Sequence, residues 1–334
     1  MTDTNVTSAW RALSADLAGA VEKAGRSIVG VNARRRIPST GVHFRPGIIV
    51  TADHTLQREE EITITLPGGT TAPVSLAGRD ASTDLAVLKA EGLDLPVAEI
   101  GDPATLQVGH LVLGLGRTAE GSSRASLAMI GVAGPAWKTW TGGRLDRTIR
   151  LDRNLHPNLS GGPAVDDQGR VLGINTAALS RFATVVILAS TVDRVTRELE
   201  NKGHIGRGYI GVSMQPIGLP HKLRESLKLP NEVGLMIMGI EPESPADKAG
   251  LLLGDTIVSL DSKSVRGVQD LQESLSGANI GKSIKAAVIR GAALAEIEIS
   301  VGERPVTTEE SGGRPDAGRR WSHGWKGGWP RRPN

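Results

Sequence analysis

Residues 156–163 read HPNLSGGP, with a serine at position 160 inside a tight turn. Two glycines and a proline follow Ser160 directly. They prevent a helix from continuing there, because glycine weakens a helix and proline interrupts its hydrogen bonds. An α/β-hydrolase needs a helix straight after such a serine. The turn therefore excludes that fold and favours a chain in which the serine lies between β-strands.

The sequence on both sides of this turn has the pattern of antiparallel strands. Short runs rich in Val, Ile and Thr alternate with clusters of Gly, Pro and Asp, which is typical of strands joined by turns. Such runs occupy 48–51, 62–66, 84–88 and 111–115. Because no helices alternate with these strands, we predict an antiparallel barrel or sandwich rather than a parallel sheet.

Helical spacing of apolar residues is confined to a few segments. Helices are predicted at 8–28, 193–202, 246–249 and 268–275. Together with the strand pattern they divide the chain into four parts. We predict an N-terminal helical segment at 1–28, a first β-rich domain at 29–203, a second at 204–304, and a tail at 305–334 that is disordered in isolation.

The composition excludes several classes of protein. With 39% hydrophobic residues among 334, the chain can bury a core. Because it has no cysteine, disulfides, thiolate zinc sites and iron–sulfur clusters are excluded. The seven histidines show no metal-ligand spacing, so we predict neither a metal nor a cofactor. We find no signal-peptide pattern and no apolar run long enough to span a membrane, and we therefore expect a cytoplasmic protein.

The basic charge of the chain is concentrated in its tail. Residues 311–334 carry a net charge of +5, and the rest of the chain sums to −2. Trp321, Trp325 and Trp329 lie among these arginines, an arrangement that would suit nucleic acid or an anionic membrane. The interspersed glycines and the nearly neutral body instead favour a low-complexity extension. We therefore expect no contact of the tail with nucleic acid or membrane.

Three segments supply the side chains of a catalytic triad. A strand of apolar residues runs into His54, Asp84 enters a second apolar strand, and Ser160 lies in the turn described above. Amide hydrolysis by a serine needs an imidazole to accept and return the proton, a carboxylate to hold that imidazole, and two N–H groups to face the oxyanion. We therefore predict His54 as general base and acid, Asp84 as orienting carboxylate and Ser160 as nucleophile.

These segments resemble those of the HtrA (DegP/DegQ/DegS) serine proteases. The family motifs read approximately TNxHV, DxxTDIAVLK and NPGNSGGPL, and their counterparts here are 48–54, 80–88 and 156–163. Residues 171–177 likewise resemble the family strand GxVIGINTA. The resemblance implies a mainly β fold, a trypsin-like double antiparallel β-barrel followed by a PDZ domain. It further implies an ATP-independent endopeptidase that degrades unfolded or misfolded polypeptides, is usually exported, and assembles as a homotrimer or larger oligomer.

The second β-rich domain carries the motifs of a PDZ domain. Residues 209–212 match the carboxylate-binding loop, and 244–251 match the family sequence SPAxKAGL. The resemblance implies that the C-terminus of a peptide adds as a strand beside 212–214, against the helix at 268–275. The residues predicted to contact the peptide are Tyr209, Ile210, Gly211, Val212, Val268 and Leu271.

The match departs from the family beside the nucleophile. Asn158 stands where the family has glycine, two residues before Ser160. Because Asn tolerates unusual backbone angles better than most residues, we predict that the N–H groups of Asn158 and Ser160 form the oxyanion hole. The specificity pocket is predicted to be apolar, lined by Thr176, Val186 and Ile187. Since losing one oxyanion donor costs about 10²–10³ in rate, the alternative is a catalytically weak or inactive peptide-binding or chaperone-like module.

Overall fold

The structure is a computed structural model, and it describes residues 3–34, 37–139, 142–206, 208–275 and 279–303. Helices occupy a small part of these ranges. They are α1 (Asp3–Gly25), α2 (Ala189–Lys202), α3 (His221–Leu227), α4 (Pro245–Lys248) and α5 (Val268–Ser274). Among the described residues no helix is both long and apolar enough to cross a bilayer. The predicted tail at 305–334 lies outside the described residues.

Seven antiparallel strands form the first layer, called here the N-terminal sheet. They are β1 (Ile28–Asn32), β2 (Ser39–Arg45), β3 (Ile48–Ala52), β4 (Thr63–Thr65), β5 (Thr71–Pro73), β6 (Ser75–Asp80) and β7 (Leu85–Lys89). Their spatial order is β5-β4-β1-β2-β3-β7-β6. Both faces are buried: Ile28 and Val50 pack into one core cluster, and Val29 and Ile49 into another. Buried strands of this kind read as continuous apolar runs, as 48–50 does.

Six antiparallel strands close into the second layer, called here the closed barrel. They are β8 (Leu111–Arg117), β9 (Ser123–Gly134), β12 (Thr148–Leu151), β13 (Pro163–Val165), β14 (Val171–Thr176) and β15 (Val185–Leu188), while β10 (Trp137–Lys138) pairs with β11 (Arg144–Leu145). Along β15 the side chains alternate between two clusters. Val185 and Ile187 share a core cluster with Val192 of α2, and Val186 faces the cluster that contains Leu159.

The remaining strands form two antiparallel sheets, a pair made of the first and the last of them and a larger sheet, called here the C-terminal sheet. They are β16 (Gly208–Tyr209), β17 (Val212–Gly218), β18 (Val233–Ile240), β19 (Thr256–Leu260), β20 (Lys263–Ser264), β21 (Ser283–Arg290), β22 (Ala293–Ser300) and β23 (Gly302–Glu303). The main order is β17-β18-β19-β21-β22, so β17 and β22 lie at opposite edges. Leu235, Ile257 and Leu271 belong to its core.

The structure confirms the mainly β fold and changes some boundaries. The first helix ends at Gly25 rather than at residue 28, because the chain enters β1 at Ile28, which pairs with Val42 of β2. The buried guanidinium of Arg117 contacts this connection. It donates to the carbonyl oxygen of Gly25 and, at 2.6 Å, to that of Ile28. The helix predicted at 193–202 begins at Ala189. The start of β1 thus sets the end of the first helix, and a side chain of a distant strand satisfies carbonyls at the junction.

Candidate active site

His54 and Asp84 meet because two neighbouring strands end together. β3 ends at Ala52 and leads into a 3₁₀ turn, Asp53–Thr55, that carries His54. β7 begins at Leu85, which pairs with Ala52 in the sheet. Asp84 directly precedes that pair, and its Oδ2 lies 2.8 Å from Nδ1 of His54. The ladder between β3 and β7 therefore sets the distance between imidazole and carboxylate.

The carboxylate of Asp84 is buried and has several donors. Besides the imidazole, the backbone N–H of His54 donates to Oδ1 at 2.8 Å, and the hydroxyl of Thr176 donates to Oδ2. Asp84 is 2% exposed and has a φ of +58°, a left-handed conformation that aspartate adopts more readily than most residues. Donors on both oxygens fix the position of this carboxylate against the imidazole, as an orienting group requires.

The structure corrects the role predicted for Thr176. We predicted this residue in the wall of a specificity pocket, but it is fully buried. Its hydroxyl donates to Asp84 and accepts the N–H of Ala178 at 3.0 Å. Thr176 is therefore a support of the carboxylate and connects the closed barrel to the His54–Asp84 pair. The spacing of the motif in the sequence gives no indication of this contact.

The other two residues predicted for the pocket are also buried. Val186 is 2% exposed and lies in the core of the closed barrel. Ile187 is fully buried on the opposite side of the strand. Neighbours along a strand face opposite sides, so the two side chains do not share one wall. The pocket predicted from this strand is therefore wrong for Ile187, and Val186 contributes to the barrel core.

The turn that carries Ser160 packs tightly against the N-terminal sheet. The N–H of Thr40 donates to the Ser160 carbonyl at 3.3 Å, and the Gly161 N–H donates to the Asn175 carbonyl at 2.8 Å. Gly161 has a φ of +84°, and a Cβ there would lie 2.2 Å from the Thr40 carbonyl oxygen and 2.8 Å from the Ala52 nitrogen. The glycine thus allows the serine turn to approach the end of β3, two residues before His54.

The residues before Ser160 form a 3₁₀ turn, Pro157–Leu159, with His156 as its N-cap. In this turn the N–H of Asn158, which we predicted to face an oxyanion, donates to Nδ1 of His156 at 3.3 Å. The Asn158 carbonyl accepts the Thr40 hydroxyl at 2.7 Å, and Leu159 is buried in the barrel core. Asn158 therefore lies two residues from Ser160, as predicted, but its N–H is engaged in this conformation. An oxyanion hole with two donors remains a prediction.

A second buried carboxylate next to His54 was not predicted from the sequence. Asp53 is 6% exposed, and burial raises its pKa, an effect that the guanidinium of Arg79 partly opposes and the charge of Asp84 adds to. Arg79 Nε lies 2.5 Å from Asp53 Oδ1, and its Nη1 lies 2.8 Å from Glu59. The ion pair braces the turn that carries the imidazole. Nothing in the sequence relates Asp53 to Arg79, 26 residues further along.

The residues predicted for a peptide groove fall into two groups. Val268 is 39% exposed, and Tyr209 and Val212 are half-buried. Gly211 is buried, and its φ of +76° is in the region that favours glycine.

Ile210 and Leu271 are buried, and both belong to the core of the C-terminal sheet. These two side chains therefore do not line the groove, contrary to the prediction. They pack inward, because burying apolar side chains in the core is favourable. Val212 packs against the same core from β17, and β17 has a free edge in the order of the sheet.

Comparison with known proteins matches both halves of the chain. The trypsin-like peptidase domain family matches residues 39–174, and the PDZ domain family matches 208–301. The solved structure of the HtrA-type protease AlgW with a decapeptide has a TM-score of 0.70, at 24% identity. That similarity covers 86% of this chain and 99% of AlgW. At this identity the structural similarity establishes the fold.

Curated relatives match over most of this chain. The putative serine protease HhoA from Synechocystis is 31% identical over 282 residues, which cover 80% of this chain and 71% of HhoA. The probable periplasmic serine endoprotease DegP-like from Pseudomonas putida is 29% identical over 264 residues, 78% of this chain and 54% of that protein. The chain thus spans somewhat more than half the length of the DegP-like relative.

These relatives overturn the expected localisation. The absence of a recognisable export signal led us to expect a cytoplasmic protein. The DegP-like relatives from Pseudomonas putida and Chlamydia pneumoniae are both named periplasmic, which points to an exported protein. The cytoplasmic expectation is therefore wrong.

The evidence for family membership comes from three independent directions. The closed antiparallel barrel and the trypsin-like peptidase match over residues 39–174 agree with a trypsin-like domain. The domain matches add a PDZ domain after it. HhoA is similar to this chain in sequence, and the similarity covers most of the length of both proteins. This chain belongs to the HtrA family of trypsin-like serine proteases with a PDZ domain.

Proposed function

We propose that this chain is an ATP-independent serine endopeptidase that degrades unfolded or misfolded polypeptides, with Ser160 as nucleophile, His54 as general base and acid, and Asp84 as orienting carboxylate. The observation that carries the proposal is the His54–Asp84 pair. Its carboxylate bonds the Nδ1 of His54 at 2.8 Å, which leaves Nε2 as the ring nitrogen that can accept a proton. Relatives named serine endoproteases support the same activity.

The proposed reaction follows from this arrangement. The Ser160 hydroxyl attacks the carbonyl carbon of the scissile peptide, and Nε2 of His54 takes the hydroxyl proton. Asp84 stabilises the resulting imidazolium through its bond to Nδ1. The imidazolium then donates its proton to the leaving amine, and the acyl-enzyme is hydrolysed by water in the reverse sequence of steps. Backbone N–H groups of the serine turn stabilise the oxyanion.

Substitution of the nucleophile tests this proposal. Ser160→Ala should abolish digestion of casein and labelling by a fluorophosphonate probe, because both need the hydroxyl. Ser226→Ala is a matched control, since Ser226 lies in α3 of the C-terminal region and its hydroxyl donates to the Leu223 carbonyl. Equal cleavage by the wild type and Ser160→Ala would reject Ser160 as nucleophile. The alternative of an inactive module has no support from relatives named endoproteases.

The PDZ domain is proposed to bind the free C-terminus of a peptide at the edge of β17. The partly exposed Val268 and half-buried Val212 supply apolar contacts, and the backbone from Tyr209 to Val212 supplies N–H groups for the carboxylate. A fluorescein-labelled peptide that ends in an apolar residue should bind, and its C-terminal amide should not. Val268→Arg should weaken binding at least tenfold, whereas Leu294→Arg, on the opposite edge strand β22, should not. Equal binding of acid and amide would reject the carboxylate site.

We further propose that the chain assembles as a homotrimer. Of the two aromatic residues near the N-terminus, Phe44 is buried in the core and is not available to a partner. Trp10 on the outer half of α1 is 73% exposed, and Leu13 beside it is 39% exposed. Sedimentation velocity of the full chain should give a trimer that Trp10→Ala shifts toward the monomer. A monomer at all concentrations would reject the assembly.

The division of the chain into four parts is also a proposal. We propose domain boundaries that separate 1–28, 29–203, 204–304 and 305–334. The end of α1 at Gly25, the end of α2 at Lys202 and the start of β16 at Gly208 support the first two boundaries to within a few residues. Limited proteolysis should cut first near these boundaries, and cleavage that begins inside the closed barrel would contradict them.

A further inference from the structure

One ring nitrogen beside the nucleophile has three competing partners. Nδ1 of His156 lies 2.7 Å from Oδ1 of Asn158, 3.3 Å from the Asn158 backbone nitrogen and 3.2 Å from Nη1 of Arg124. The backbone N–H and the guanidinium can only donate, whereas the amide oxygen can only accept. The protonation of one imidazole nitrogen therefore decides which of these bonds can form.

The two states of the imidazole have different consequences for Asn158. Of the two neutral tautomers, the one with its hydrogen on Nε2 is favoured by the two donors that face Nδ1, Arg124 and the Asn158 N–H. It accepts the Asn158 N–H and holds it in the 3₁₀ turn. A protonated ring cannot accept a hydrogen bond at Nδ1. It donates to Oδ1 of Asn158 instead, and its charge repels the guanidinium of Arg124. Protonation thus releases the one N–H that the proposed oxyanion hole needs.

We propose that His156 is a positioning residue that, when neutral, holds the Asn158 N–H away from the oxyanion and, when protonated, releases it. This inference rests on the proposed function of Ser160. His156 is exposed, so protons reach it from solvent. The chain departs from the family here, because His156 stands where the family motif has asparagine, an acceptor that does not titrate near neutral pH.

The charged groups named around His156 are both positive. Arg124 faces it from β9, and Arg34 donates to the adjacent Pro157 carbonyl at 3.4 Å. Both are permanently positive near neutral pH. Other contacts of the turn do not titrate there: the Thr40 hydroxyl holds the Asn158 carbonyl, and Leu159 is buried in the core. Among these contacts, the imidazole is therefore the group whose donor and acceptor roles depend on its protonation.

Two substitutions at one position separate the acceptor from its titration. His156→Ala removes the acceptor. His156→Asn keeps an acceptor at the N-cap that cannot be protonated. The measurement is the second-order rate constant for labelling of the full chain by a fluorophosphonate, from pH 5.5 to 8. Labelling needs the nucleophile, the base and the oxyanion donors together. Because all variants keep His54, Asp84 and Ser160, the ratio of two rate constants isolates the change at position 156.

We expect His156→Ala to label about fivefold faster than the wild type at pH 8, because it lacks the hydrogen bond that holds the turn. The ratio of wild type to His156→Asn should rise about fivefold from pH 8 to pH 5.5. A merely structural role would lower the melting temperature and slow the labelling of His156→Ala. A constant ratio, or an alanine variant no faster than the wild type, overturns the inference. If no variant is labelled at any pH, the proposed function itself fails.

Discussion

The two halves of the candidate active site are built differently. On the N-terminal sheet, the His54–Asp84 pair follows directly from a strand ladder, and the carboxylate has donors on both oxygens. On the closed barrel, Ser160 lies in a turn whose backbone is anchored, while the neighbouring Asn158 N–H bonds His156. The base is thus preorganised, whereas the oxyanion donor depends on how a short turn is arranged.

The difference has a physical cause. A strand pair holds its residues through several backbone hydrogen bonds at once, so one side-chain change does not move the register. A 3₁₀ turn of three residues is held by few bonds, and its N–H groups can exchange partners at small cost. We therefore expect substitutions at the His54–Asp84 pair on the N-terminal sheet to reduce activity. Some substitutions in the serine turn of the closed barrel should increase it.

The largest effect is expected for the orienting carboxylate. Asp84→Asn should keep the fold but lower kcat about 10⁴-fold, because an amide no longer favours the required tautomer or stabilises the imidazolium. Casein digestion and fluorophosphonate labelling measure the effect, with Asp152→Asn, in an exposed ion pair, as control. A loss of activity below tenfold would show that Asp84 contributes less to catalysis than its contact with His54 implies.

The second effect concerns the stability of the fold, which the ion pair between Asp53 and Arg79 beside His54 supports. Arg79→Met leaves Asp53 buried without its partner and should cost about 3 kcal/mol at pH 8. Burial already raises the pKa of Asp53 above its ordinary value of 3.8, and loss of the guanidinium raises it further. The folded state then keeps a proton that the unfolded state releases, so the stability of the variant falls as pH rises from about 4 through the raised pKa.

Urea denaturation at pH 4.5 and pH 8 measures this difference. The wild type and Arg79→Met should differ less at the lower pH. Arg153→Met is a suitable control, because Arg153 pairs with Asp152 at the surface and should contribute less than about 1 kcal/mol. A deficit that is equal at both pH values would mean that Asp53 stays ionised throughout.

On the second half, Asn158→Gly is expected to increase activity. Glycine adopts positive φ freely, so the backbone at 158 can turn its N–H from His156 toward the oxyanion more easily than asparagine can. The gain in kcat should be about tenfold, below the 10²–10³ attributed to one complete donor. Peptide hydrolysis with KM measured separately tests it. An unchanged or lower kcat would place the limitation elsewhere than in this turn.

An effect of similar size, but a loss, is expected where Thr176 of the closed barrel contacts Asp84. Thr176→Val removes the hydroxyl that donates to Asp84 and should lower kcat about tenfold with little change in KM. Thr191→Val is a matched control: this threonine is also fully buried and bonds the N–H of Asp146 at 3.1 Å, remote from the triad. Equal activity of both variants would show that Asp84 needs no support from the closed barrel.

Much of the fold and the candidate triad could be predicted from the sequence alone. The apolar run ending before His54, the aspartate entering the strand at 85 and the glycines after Ser160 are local patterns, and each depends on interactions within a few residues. The structure places them on β3, β7 and the turn before β13. Strand boundaries agree to within about two residues because turn residues mark them directly.

What the sequence could not determine were contacts between distant segments. Thr176 had the appearance of a pocket residue, and only the approach of β14 to Asp84 assigns its hydroxyl. Leu271 fitted a groove by helical spacing, but packing in the C-terminal core buries it.

The hydrogen bond from the Asn158 N–H to His156 depends on the backbone angles of one turn. By itself the sequence determined the strands, the turns and the identities of the reactive groups, since these follow from local preference. The tertiary structure decided which donors and acceptors meet, because that depends on how whole sheets pack.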